Sequence, residues 1–267
     1  MTRVNAGAVT LDYELRGSGP PLLMICGFRR SRVVWLEPLL SALAPHFQLV
    51  LFDNRGTGHS DQPPAEDYSM DAFADDCAGL LDALGMDSAH VFGTSMGGMI
   101  AQRLASRHPD RVRRLAIGCS SCGGKRAIPA ERRIWELLRL MPGEGLDARE
   151  IAYRQEEAYV TDAFRAANRK LLDHLFEIVN ANPTPLHAVQ GHLNAIEGFD
   201  SHDELPAIQA PALAITGAED RLIPAANSTL IAERIPGARA LLLPEAAHFF
   251  WIEQPRATAD ALIEFFS

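Results

Sequence analysis

Apolar and polar positions along the chain change rhythm twice. Residues 22–27 (LLMICG) and 47–53 (FQLVLFD) are unbroken apolar runs ending on turn residues, as strands covered on both faces should be. Residues 69–86 have helical spacing at Phe73, Cys77, Leu80, Leu81 and Leu84, with a Ser or Asp cap at the start and Gly85 near the end. A short strand over 89–92, a helix after residue 95 and a strand over 111–119 continue the alternation. The first 21 residues alternate as a strand does.

From about residue 123 to 200 only helical segments follow: 129–141, 147–160, 163–180 and 185–199. Pro142, Gly143, Pro183 and Pro185 punctuate them. Strand–helix alternation then resumes, with strands over 210–217 and 238–244 and helices over 227–235 and 257–266. The pattern predicts an α/β fold with a mostly parallel, doubly wound sheet and right-handed crossovers. A helical cap is inserted after the sixth strand. The expected division is a core of residues 1–122 and 201–267 and a cap of 123–200, laid over the carboxyl edge of the sheet where such folds bind ligands.

The chain has 267 residues, 47% of them hydrophobic and 22% charged, which excludes disorder and suits one large domain with an insertion. Its formal net charge of −9 disfavours nucleic acid and anionic membranes as partners. No run of ~18 apolar residues is present to span a bilayer. The N-terminus lacks the apolar core of a signal peptide, so a cytoplasmic protein is expected. Cys26, Cys77, Cys119 and Cys122 are too scattered for a disulfide framework, and CSSC over 119–122 reads as packing rather than redox or metal chemistry.

Candidate chemistry begins at Gly93-Thr-Ser95-Met-Gly97. Glycine content would generate this spacing by chance about 0.07 times per chain, so context must decide. An apolar strand enters and an apolar helix leaves, which places Ser95 on a tight strand-to-helix turn with its hydroxyl exposed. A serine hydroxyl needs a base, itself oriented by a third group. Asp220 and His248 follow the two resumed strands, and serine, acid, histidine is the chain order such a turn expects. Glu219 is the alternative orienter. His46, His90 and His108 fall on the wrong sheet edge, while His174, His187, His192 and His202 belong to the insert or its hinge. His59 lacks a strand-end position. Asp53 and Arg55 read as a loop-bracing pair.

These motifs, with MICGF (24–28), LFDNRGTGHSD (51–61), GAEDRLIP (217–224) and EAAHFFWIEQP (245–255), resemble an α/β-hydrolase of the helical-cap serine type over essentially the whole chain. The wording of GTSMGGMIAQ and FDNRGTGHSDQP is most similar to the esterase and enol-lactonase-like branch. The resemblance implies Ser95 as nucleophile, His248 as base, Asp220 as orienter, and an oxyanion hole formed by the N–H groups of Phe28 and Met96. It implies no cofactor and no metal. One departure stands out. Family members usually carry His-Gly where this chain has Cys26-Gly27, and a thiol is a poorer hydrogen-bonding group.

The expected reaction is hydrolysis of small carboxylic esters or lactones through an acyl-enzyme. Carbon–carbon bond hydrolysis and cofactor-free perhydrolysis are the alternatives that use the same residues, and a ligand receptor with a slow triad is the alternative of another class. The serine nucleophile argues against dehalogenases and epoxide hydrolases, which use an aspartate there. Arg29 and Arg30 are candidates to receive a substrate carboxylate, or else solvated surface residues. Trp135, Leu138, Tyr153, Tyr159, Phe164, Leu171, Leu175 and Phe176 are candidate pocket walls or cap core. Oligomeric state is not encoded in any of these patterns.

Overall fold

The computed structural model describes residues 2–140 and 145–267; Met141, Pro142 and Gly143 of the predicted helix end and breaker lie outside that range. In chain order the elements are β1 (Thr2–Asn5), β2 (Thr10–Arg16), β3 (Pro21–Ile25), α1 (Glu37–Leu43), β4 (Gln48–Phe52), α2 (Met70–Ala83), β5 (Ala89–Thr94), α3 (Met96–Arg107) and β6 (Val112–Gly118). Then come α4 (Arg132–Leu138), α5 (Ala148–Tyr159), α6 (Asp162–Ala167), α7 (Arg169–Asn180) and α8 (Leu186–Glu197). The chain closes with β7 (Ala212–Gly217), α9 (Ala226–Arg234), β8 (Arg239–Leu243), α10 (Phe250–Glu253) and α11 (Pro255–Phe266).

Eight strands form one sheet in the order β1-β2-β4-β3-β5-β6-β7-β8. Pairing is antiparallel for β1–β2 and β2–β4 and parallel from β4 onward. The expected mostly parallel sheet is therefore present, with an antiparallel edge made by the N-terminal hairpin. Every residue of β5 and β7 is buried, which is why these strands read as continuous apolar runs. One core lies between the sheet and α2, α3 and α9, where Phe73, Leu80, Ile100 and Ile231 meet Leu23, Ile25 and Val91. The other lies between the opposite face and α1, α10 and α11, where Leu39, Phe250 and Leu262 meet Met24, Phe92 and Ile215.

Ser69 caps α2 by accepting the N–H of Ala72 at 3.0 Å. The predicted helix over 163–180 is instead two, α6 and α7, broken at Asn168. There φ is −121° and ψ 34°, and the side-chain amide donates to the Phe164 carbonyl. An Asn able to bond the preceding turn competes with helix propagation.

Between β6 and β7 the described elements longer than one turn are all helices. A bridge between Gly123 and Asp200 closes the base of this stretch. It is flanked by Gly124 N–H to Phe199 O at 3.0 Å and Ser201 N–H to Cys122 O at 2.8 Å.

Candidate active site

Ser95 stands between β5 and α3 at φ 57° and ψ −122°, a backbone conformation that costs a side-chain-bearing residue of order 1–3 kcal/mol. Its neighbours explain how so sharp a turn fits. A Cβ on Gly93 would lie 2.1 Å from the Gly97 carbonyl oxygen, and one on Gly97 would lie 2.2 Å from that of Ile25. Backbone approaches backbone here, and only glycine leaves room. The Ser95 N–H donates to Gly118 O at 2.8 Å, and Ser120 Oγ donates to Ser95 O at 2.8 Å, so the turn is pinned to the end of β6. Ser95 is partly exposed among buried neighbours.

Asp220 and His248 come from the next two strand ends. His248 Nδ1 lies 2.8 Å from Asp220 Oδ2, and both residues are buried. The Oδ1 of Asp220 accepts the N–H groups of Leu222 and Ile223 at 2.9 Å each, and Thr216 Oγ1 donates to Oδ2 at 3.3 Å. With a carboxylate as its neighbour, Nδ1 carries the proton and Nε2 keeps its lone pair. Glu219 makes no such contact; its N–H donates to Ala246 O.

The histidine loop is tied down separately. The carboxylate of Glu253 accepts Ala247 N–H at 2.6 Å on one oxygen, and Thr161 N–H and Oγ1 at 2.8 and 2.9 Å on the other. Burial pushes the Glu253 carboxyl above its ordinary value. This residue sits in the EAAHFFWIEQP stretch, yet sequence reasoning gave it no role.

Ser95 is bonded to the end of β6, and the Asp220–His248 pair lies beside Cys119, the residue that follows it. Cys119, next to the Gly118 that holds Ser95, places its Sγ within 4.8 Å of both an Asp220 carboxylate oxygen and a His248 ring nitrogen. Burial, and then the charge of Asp220, push the Cys119 thiol well above its ordinary value, so it is protonated and unreactive.

Phe28 and Met96 flank the same place. A Cβ on Gly27 would lie 3.0 Å from Ser95 Cβ, which brings the loop of Phe28 against the serine. Met96 is the first residue of α3, where backbone N–H groups have no partner within the helix. Around Cys26 the loop is braced by several groups. Asn54 Nδ2 donates to Cys26 O at 2.9 Å, Arg30 N–H to Gly27 O at 3.2 Å, and Arg32 N–H to Asp53 Oδ1 at 2.8 Å. His192, from α8, enters underneath with Nδ1 3.5 Å from Arg29 N and Nε2 3.0 Å from Arg55 O. Its ring is fully buried among Phe28, Tyr68 and Phe73, and burial lowers its pKa to about 4.

Asp53 and Arg55 do brace loops, but not as a pair with each other. Asp53 Oδ2 lies 2.8 Å from Arg32 and accepts His59 N–H at 3.0 Å, while Arg55 makes a two-pronged contact with Asp76 at 2.6 and 2.7 Å. Of the candidate walls, Trp135 and Tyr153 are exposed, at 45% and 51%, and are surface residues. Tyr159 stacks on Phe249 at 4.6 Å and lies 6.2 Å from the His248 ring. Arg30 sits over both rings, at 5.4 and 5.7 Å, and Arg29 over Phe28 at 5.9 Å. Burial and the neighbouring Arg30 lower the pKa of Arg29. Among the described residues neither arginine has a carboxylate within ion-pair distance.

A model of the alpha/beta hydrolase fold family matches residues 20–255. The chain is 31% identical to a putative carbamate hydrolase RutD of Caulobacter sp. (strain K31), over 96% of each chain. It is 28% identical to a pimeloyl-[acyl-carrier protein] methyl ester esterase of Aeromonas hydrophila, over 96% of this chain and 99% of that one. Among solved structures, the enol-lactonase from Burkholderia xenovorans LB400 superposes with a TM-score of 0.82 at 26% identity, covering 98% and 99% of the two chains. No helix among the described residues is long and apolar enough to cross a membrane.

Proposed function

The chain belongs to the α/β-hydrolase fold family and is a hydrolase of that family, and on that premise we propose that it cleaves small carboxylic esters or lactones through an acyl-enzyme on Ser95. His248 Nε2 takes the Ser95 proton as Oγ attacks the carbonyl carbon. Asp220 holds the imidazole by the 2.8 Å contact at Nδ1 and stabilises the imidazolium that forms. The N–H groups of Phe28 and Met96 receive the oxyanion. His248 then returns the proton to the leaving alcohol, and a water activated by the same nitrogen releases the acid. The strained backbone of Ser95, on the sheet edge that also carries the buried Asp220–His248 pair, is the observation that supports this reading most. Neither metal nor organic cofactor enters the scheme.

Residues 123–200 form the cap in this reading, and 1–122 with 201–267 the core; the Gly123–Asp200 bridge supports those limits. The relatives named above act, by their names, on a carbamate, a methyl ester and an enol-lactone. Each presents a carbonyl bonded to a heteroatom, the electrophile this arrangement suits. Arg29 and Arg30, which have no carboxylate partner among the described residues, favour substrates carrying a carboxylate of their own.

Labelling with a fluorophosphonate, followed by a panel of short p-nitrophenyl esters, lactones and carbamates, tests the proposal. The label should fall on Ser95 and disappear in Ser95→Ala, with turnover lower on the order of 10⁶-fold. Unchanged turnover in Ser95→Ala removes the reading.

A further inference from the structure

Among the described residues one group of metal-ligating atoms is drawn together: Cys119 Sγ, an Asp220 carboxylate oxygen and a His248 ring nitrogen, all mutually within 4.8 Å and all on buried residues. Hydrolysis uses two of the three. Cys119 has no part in it, yet it holds a left-handed backbone, φ 38°, that a side-chain-bearing residue rarely adopts.

We propose that this trio is an inhibitory binding site for a soft divalent cation of the zinc or cadmium class. The donor set decides the class. One thiolate, one imidazole and one carboxylate suit zinc-like ions and leave a fourth position open, whereas magnesium and calcium require oxygen ligands. The spacing fits as well. Ligand atoms around a tetrahedral ion with bonds of about 2.0–2.3 Å stand roughly 3.3–3.8 Å apart, so a pair now at 2.8 Å and a trio within 4.8 Å need only small displacements.

Charge and protons balance. In the free protein Cys119 is a thiol, Asp220 a carboxylate, and His248 a neutral imidazole with its hydrogen on Nδ1. The entering cation drives the thiol proton to solvent, because a bound metal overrides the burial that otherwise keeps a thiol protonated. The imidazole hydrogen passes from Nδ1 to Nε2 as Nδ1 takes the ion. One proton leaves per ion, and two negative ligands cancel the charge of the cation, so the buried cluster is neutral. Nε2 now carries a hydrogen and cannot accept one from Ser95, and the enzyme is off. Binding is independent of the hydrolytic reading; the inhibitory consequence rests on it.

Cadmium is the probe, because its thiolate complexes have an ultraviolet charge-transfer band. Titrating Cd²⁺ into metal-free protein should raise that band to saturation at one equivalent, abolish ester turnover in parallel, and be reversed by a chelator. Cys119→Ser should lose the band, and the cadmium concentration that halves its own metal-free rate should rise on the order of 100-fold or more, beyond the loss typical of an outer-shell change. His248→Gln keeps the thiol and should weaken the band's affinity comparably, which guards against misfolding of one variant. Cys122→Ser should keep the band. Absence of the band in wild type at millimolar cadmium, or its persistence in Cys119→Ser, overturns the site. A saturated band with undiminished turnover overturns the inhibitory role and counts against His248 as base. A protein without ester turnover fails the hydrolytic reading alone, since the band still reports the site.

Discussion

The Nε2 of His192 lies 3.0 Å from the carbonyl oxygen of Arg55, joining α8 to the loop after β4 across 137 residues of chain. A carbonyl only accepts, so Nε2 carries the hydrogen and Nδ1 is left to face the Arg29 N–H. The neutral ring alone satisfies both sides. It supplies from the helical insert a brace for the Phe28 loop. His192→Ala should lower kcat on p-nitrophenyl acetate by about 10- to 100-fold, the scale of a lost oxyanion donor or less. His192→Gln, which can donate to Arg55, should recover part of that loss.

The same residue sets a pH dependence of stability. Its folded pKa of about 4 lies below the ordinary 6.5, so between those values the unfolded chain binds the extra proton. Stability is fully present above pH 6.5 and is lost as pH falls toward 4, by up to about 3 kcal/mol from this group. Urea midpoints at pH 7 and pH 4.5 check it. The drop should shrink in His192→Gln, and an equal drop in both proteins would assign it elsewhere.

Asp220→Asn keeps the shape of the side chain and removes its charge. The amide can present its N–H to Nδ1, favouring the tautomer with the hydrogen on Nε2. A fall in kcat of roughly 10⁴-fold is expected, the size seen when a triad acid is neutralised, with KM little changed. Steady-state kinetics on one ester suffices, and a loss below tenfold would point to another orienter.

Ser95 pays a conformational penalty that glycine would not. Relief of strain of order 1–3 kcal/mol outweighs the 0.5–1 kcal/mol by which glycine's freedom favours the unfolded chain. Ser95→Gly should be inactive and about 1 kcal/mol more stable than wild type by urea denaturation. A clearly less stable variant would show that the turn is not strained.

Arg30→Ala tests the anionic substrate. The ratio of kcat/KM for a half-ester bearing a free carboxylate to that for its neutral methyl counterpart should fall about tenfold, equivalent to ~1.4 kcal/mol. Added salt should reduce the wild-type ratio in the same direction. An unchanged ratio assigns the guanidinium to packing on Tyr159 and Phe249.

Much of the fold was legible because β5 and β7 are buried on both faces and so read as apolar runs. The adjacency of Asp220 and His248 followed from their positions just past neighbouring parallel strands. What escaped was long-range or locally ambiguous. The partner of Arg55 is Asp76, and the contact of His192 spans the whole insert; no local pattern reports either. Helix α1 is one short stretch after a proline-free loop and has too few turns to show a period. Asn168 splits a helix because its side chain bonds the preceding turn, a choice spacing alone does not reveal. Cys119 was placed with Cys122 by sequence, although its backbone turns it toward Asp220 and His248 instead.

The paired residues at the neck of the insert, Gly123 and Asp200, have one more consequence. Since both ends leave from adjacent points, the core treats everything between them as a single closed loop. Its entropy changes by only about 0.6 kcal/mol for each doubling in length. Closing a segment of different length between these two positions therefore costs little in chain entropy alone. Any replacement has to keep His192 and Thr161 or their equivalents, because their contacts with the Phe28 loop and with Glu253 reach out of the stretch.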